Sequence, residues 1–124
     1  MTKWISLIVG GASGTVARYL LSGFVYHLFG GDFPYGTLSV NLLGCFLVGF
    51  FAVMLGGKWL LGHDGNLFLV VGFCGGFTTF SALILESANL IKDGESLKAL
   101  LNLTISIIAG FLALRVGVLA GELI

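Results

Sequence analysis

The sequence predicts an all-α membrane protein with four transmembrane helices, and three observations carry that reading. Of 124 residues, 57% are hydrophobic and only 10% charged, with a mean hydropathy of +1.07 and no net charge. A soluble domain of this length has too little interior to hide so much apolar surface. The apolar residues also gather into four stretches, each long enough for a hydrocarbon core about 30 Å thick, with short polar breaks between them. Finally, 20 glycines stand against a single proline, which suits membrane helices whose small residues let backbones approach. No strand pattern competes, and residues 1–124 form one membrane domain.

The first span runs from Trp4 to Phe29. Its start, "MTKWISLIVGGASG", has the lysine, apolar stretch and small residues of a signal peptide, but the apolar run continues through Arg18 to Phe29, so it is expected to stay. After "GGDFPY" (Gly30 to Tyr35), the second span covers Gly36 to Leu61 and places Thr37 and Asn41 four residues apart, on one helix face. "GHDGN" (Gly62 to Asn66) reads as a turn. The third span, Leu67 to Ile91, holds Thr78, Thr79, Ser81 and Glu86. "KDGES" (Lys92 to Ser96) leads to the fourth span, Leu97 to Leu123, where Asn102 and Ser106 repeat the spacing of four while Thr104 points elsewhere.

Four spans put the N-terminus, second loop and C-terminus on one side of the membrane and the other two loops on the opposite side. Lys3, Lys58 and Arg115 lie toward the first side; Lys92, Lys98 and Arg18 lie toward the second. The positive-inside rule therefore selects no orientation. Such a chain is expected to insert both ways up, so that two copies can pair antiparallel and build from one sequence the inverted repeat that many transporters build from two halves.

Nothing in the spans suggests catalysis, and no enzyme is expected. His27 and His63 sit at span ends, no serine has a base at a recognisable spacing, and no paired carboxylates occur. Cys45 and Cys74 lack any metal or redox spacing and read as small packing residues. Amides, hydroxyls and phenyl rings, none of which titrates near neutrality, suit the holding and passing of an ion. Each alone is more often glue between helices. Their presence on three spans favours a pathway.

The segment "GFCGGFTTFSAL" (Gly72 to Leu83) sharpens this. Gly75 and Gly76 each lower helix propensity by about 1 kcal/mol relative to alanine, and a helix broken between Gly75 and Thr79 frees backbone groups at mid-membrane. Freed carbonyls suit a cation, whereas the helix start beyond the break favours an anion. Phe77 and Phe80 are one turn apart, and the positive edge of a ring can also face an anion.

These residues resemble the Fluc, or CrcB, family of small fluoride channels. The matching pieces are "GGASGTVARY" (Gly10 to Tyr19), "FPYGTLSVNLLGCFLVG" (Phe33 to Gly49) and "GFCGGFTTFS" (Gly72 to Ser81), followed by Glu86, so the resemblance spans nearly the whole chain. It implies a dual-topology antiparallel homodimer in the cell (inner) membrane, with two fluoride pores, a third helix broken mid-membrane and a structural sodium ion at the dimer centre. Sodium would be held by the backbone carbonyls of Gly75 and Thr78. The ion pathway carried over by match is Thr37, Asn41, Phe80 and Ser81, with Arg18 at the vestibule and Ser106 on the fourth helix. Two departures stand out. The family pattern continues "FSTF" where this chain has Ala82 and Leu83, which removes a second ring, a role that Phe77 is a candidate to fill. A family serine of the fourth helix falls on Gly110.

Two other functions compete on sequence. A small multidrug-type exporter also has four helices and dual topology, but it needs a carboxylate in the first span, and Trp4 to Phe29 contains none. Glu86 lies toward the end of the third. An accessory membrane subunit predicts polar residues scattered around the helices instead of aligned.

Overall fold

The computed structural model describes residues 2–58 and 62–124, the last two before the gap by backbone alone. The predicted end of the second span, residues 59–61, lies outside the described residues. All secondary structure among the described residues is helical. That follows from the solvent, since a backbone polar group left unpaired in hydrocarbon costs several kcal/mol and a helix pairs its own.

Helix α1 spans Thr2–Phe29 and α2 spans Tyr35–Val53, continuing into wider π turns over Met54–Lys58. Helix α3 is assembled from consecutive helical pieces, Gly62–Asn66, the π turns of Leu67–Cys74, and Gly75–Phe77. Helix α4 spans Phe80–Lys92 and α5 spans Ser96–Leu123. Four candidate membrane spans result: Thr2–Phe29, Tyr35–Gly56, Gly62–Lys92 and Ser96–Leu123.

The expected turn survives only at Gly62, which has φ +66°, and the residues after it to Asn66 are helical. The residue types favour a turn in water, at about 1 kcal/mol for each glycine. Leaving helical hydrogen bonds unmade next to a bilayer costs more, and Asp64 in the first turn complements the helix dipole. The connection between α4 and α5 behaves as predicted. Gly94 has φ +81°, and the amides of Glu95 and Gly94 donate back to Leu90 and Ile91 at 2.8 and 3.0 Å. This is the Schellman closure that only a glycine enters without strain.

Two pairings organise the bundle. Helices α2 and α5 make the most extensive contact and run parallel, with Gly49 against the Leu114 backbone and Gly117 against that of Phe46. Helix α1 packs along α3, where the Phe73 backbone occupies the space that a Cβ on Gly14 would need. At these crossings the glycines act through size, allowing one helix backbone to rest on another. Lys98 at the start of α5 donates to the Asp32 carbonyl before α2 at 3.2 Å and pairs with Glu95 at 2.6 Å, holding the first and third loops on one side.

Large apolar side chains point outward. Tyr19, Phe24, Phe111 and Leu123 are more than half exposed, whereas Val40, Cys74, Phe77 and Ala99 are buried. An exposed apolar surface is the normal exterior of a chain solvated by lipid.

Between α3 and α4 the backbone leaves the helical region for two residues. Thr78 has φ −89° and ψ 156°, and Thr79 has φ −150° and ψ 109°. Gly75, by contrast, is helical at φ −62° and ψ −40°, and Gly76 belongs to the same helical piece. A Cβ on Gly76 would stand 2.5 Å from the Gly11 carbonyl oxygen and 3.0 Å from Thr15 Oγ1. Close packing on α1 is what requires a glycine at that position.

Candidate functional site

The Thr78–Thr79 segment is held by side chains that replace the helical hydrogen bonds it gives up. In a continuing helix the Thr79 amide would turn back to the Gly75 carbonyl. Here it donates to Asn41 Oδ1 at 2.7 Å, while Asn41 Nδ2 donates to the Thr79 carbonyl at 3.1 Å. Asn41 thus grips both polar groups of one residue. The Ala82 amide, which would otherwise serve the Thr78 carbonyl, donates to Thr79 Oγ1 at 3.2 Å, making Thr79 the N-cap of α4.

Arg18 reaches across from α1, and its Nε donates to the Gly76 carbonyl at 3.0 Å. The Thr78 hydroxyl and amide both return to the Cys74 carbonyl, at 2.9 and 3.0 Å. The carbonyls of Gly75 and Thr78 therefore lose their helical donors to Asn41 and Thr79, while that of Gly76 acquires a guanidinium. An oxygen relieved of its donor in a membrane is a place for a cation.

The other sequence-predicted residues divide between two hollows. Asn41, Thr78, Phe80 and Ser106 border one groove of about 320 Å³, together with Leu83 and Cys45. Phe80 is 75% exposed at its edge. The Ser106 hydroxyl is buried and has no hydrogen-bond partner among the described residues. Among the described residues, no carboxylate, histidine or basic side chain lines this groove.

Arg18 and Thr37 border the other hollow, with Ser22, Tyr26 and Thr79. The Thr37 hydroxyl also bonds Glu86 Oε1, a contact between α2 and α4. Ser81 borders neither hollow; its exposed hydroxyl shares a 3.3 Å hydrogen bond with that of Thr79. Gly75 likewise faces outward, with nothing within 4 Å of where a Cβ would be.

Some expectations shift. Phe77 is buried and stacked on Phe73, with ring centroids 5.7 Å apart, so it does not stand in for the absent ring at Leu83. Asn102 shares a spacing with Ser106 but turns to α4, where its Nδ2 donates to Ser87 Oγ at 2.9 Å. Thr79 and Cys45 also border these hollows, although the sequence reading does not place them on the pathway. For Cys45 the signal is present, one further helical turn beyond Thr37 and Asn41.

The model of the CrcB-like protein family, described as camphor resistance, matches residues 5–118. The chain belongs to that family. A protein of Solidesulfovibrio magneticus named fluoride-specific ion channel FluC is 47% identical over 118 residues, covering 95% of this chain and 94% of its own. Its namesakes in Desulforapulum autotrophicum and Geobacter sulfurreducens are each 42% identical over 122 residues, with 98% of both chains covered. Membership and the four candidate spans together make this a multi-pass membrane protein, and its family is one of transporters, not enzymes.

Proposed function

We propose that this protein is a fluoride-selective channel of the inner membrane, working passively as an antiparallel homodimer with a structural sodium ion at its centre. The observation that carries the reading is the groove between Asn41, Phe80 and Ser106. It joins an amide, a ring and an unpartnered hydroxyl with no carboxylate, histidine or basic side chain among the described residues that line it, and the near full-length relatives bear the name of fluoride channels.

Fluoride is small and strongly hydrated, so a path through hydrocarbon must replace its water with donors. Donors that do not titrate serve the anion without exchanging protons. A passive path exports fluoride where the cytoplasm is the more alkaline side, because fluoride enters as neutral acid and is trapped as the anion. Chloride must be refused to preserve the membrane potential. In this reading Thr37, Asn41, Phe80, Ser81 and Ser106 line the path, and Arg18 supplies positive charge at its mouth.

The interruption at Thr78–Thr79 is, on this proposal, the mid-membrane break of the third helix. The Gly75 and Thr78 carbonyls of both copies would hold the sodium ion, which neutralises the oxygen ends of the freed peptide dipoles. The residues present fit such an ion, because Asn41 and Thr79 take the amides those carbonyls would otherwise use. The open face at Gly75 favours close approach of a second copy.

The test is fluoride efflux from liposomes, followed with an ion-selective electrode, for the wild type and Phe80→Ile. Flux is expected in the wild type and lost by about two orders of magnitude in the variant, which keeps bulk at the site but lacks the positive ring edge. A multidrug-type exporter would instead exchange protons for organic cations. An accessory subunit would pass neither.

Orientation has its own test. Two or three lysines added between Lys92 and Ser96 are expected to force one orientation and abolish flux when that variant is the only copy in the membrane. A copy biased the opposite way, co-expressed, is expected to restore it. Full flux from the single biased copy would exclude the antiparallel dimer.

A further inference from the structure

Thr37, Asn41 and Cys45 follow one another at intervals of four on α2, and Ser106 and Gly110 keep the same interval on α5, which runs parallel to it. Across the groove, Asn41 and Ser106 form one level of polar side chains. The next level has Cys45 on α2 and Gly110, without a side chain, on α5. A Cβ on Gly110 would lie 3.4 Å from Cys45 Sγ, so the thiol stands over the position where a side chain from α5 would project. Cys45 also lines the groove into which the unpartnered Ser106 hydroxyl is set.

We propose that Cys45 is a wall residue of the ion path, its thiol supplying at that level the donor that Gly110 lacks. The inference rests on the channel reading and extends it one turn beyond Asn41. A thiol is a weaker donor than a hydroxyl, so this level is the weakest contact of the path. The observations separate the two cysteines. Cys74 is buried within the bundle and borders neither of the two hollows described, whereas Cys45 is only partly covered and lines the groove.

The experiment compares fluoride flux through purified protein in liposomes for the wild type, Cys45→Ala, Cys45→Ser and the double variant Cys45→Ala with Gly110→Ser. Losing the thiol is expected to slow flux about tenfold, the equivalent of ~1.4 kcal/mol. Serine at position 45 is expected to conduct at least as fast as the wild type. The double variant moves the donor from α2 to α5 at the same level, where the shortened side chain leaves it room, and is expected to recover most of the flux. Recovery by transfer is what a packing role does not predict.

Wild-type flux in Cys45→Ala overturns the inference, as does a double variant that elutes as folded dimer but conducts no better than the single one. If the wild type itself passes no fluoride, the channel reading falls and this inference with it. A conducting wild type with an unchanged Cys45→Ala variant removes this inference alone.

Discussion

Asn41→Asp is expected to stop fluoride flux, lowering it by at least roughly a hundredfold, because it damages the site in two ways at once. Asn41 accepts from the Thr79 amide and donates to the Thr79 carbonyl. An aspartate can keep the first bond but sets a carboxylate oxygen against the carbonyl that Nδ2 served. A buried acceptor stripped of its donor costs about 1–3 kcal/mol, and a negative charge beside an anion path opposes the ion directly. Together they exceed the ~2.8 kcal/mol of a hundredfold change.

The protonated acid separates these causes, because its hydroxyl can donate to Thr79 as the amide does. Flux through Asn41→Asp is therefore expected to recover in part at pH low enough to protonate the carboxyl, after subtraction of the leak in protein-free vesicles. Asn41→Ala removes both bonds and has no such recovery. Wild-type rates in Asn41→Asp at neutral pH would reduce Asn41 to packing.

The parts of the fold that one segment decides for itself were legible in the sequence. The spans follow from uninterrupted apolar runs, and "KDGES" closes as its glycine predicts because the hydrogen bonds involved join residues three to five apart. "GHDGN" misled because its turn propensity is measured against water. The glycines of "CGGF" were only coarsely informative. They pointed to an interruption somewhere between Gly75 and Thr79 but not to its place in that range, where Gly75 and Gly76 are helical and the extended residues are the threonines that follow.

What fixes the threonines lies far away in sequence. Asn41 meets Thr79 across 38 residues, Thr37 meets Glu86 across 49, and Arg18 meets Gly76 across 58. Helical spacing could place Thr37 and Asn41 on one face, but it could not say that one would bond a carboxylate and the other a backbone peptide. The same limit applies to Asn102. Its spacing matched that of Ser106, but the rotation of α5 was set by packing against α2 and α4, leaving one side chain on Ser87 and the other on the groove.

Sodium depletion is expected to have an effect as large as Asn41→Asp, with the side chains untouched. Under the proposed dimer, four backbone oxygens meet at the centre, from Gly75 and Thr78 of each copy, and their amide partners are already committed to Asn41 and Thr79. Without a cation these oxygens face one another unpaired in a medium that water hardly reaches, at several kcal/mol per group. The site contains no carboxylate, which favours a monovalent ion over a divalent one. Exchange of the purified protein into a large organic cation is expected to slow or stop flux and to loosen the dimer on size exclusion, and returned sodium is expected to recover both. Flux of sodium itself should remain undetectable throughout, because on this proposal the ion belongs to the fold and not to the path. Thr78→Ser should be mild, since the backbone does the binding, whereas Asn41→Ala should weaken sodium dependence together with flux by letting the Thr79 amide return to Gly75. Equal conduction after verified sodium removal would sink the proposal, leaving Gly76 explained by its contact with α1 and the freed carbonyls without a ligand.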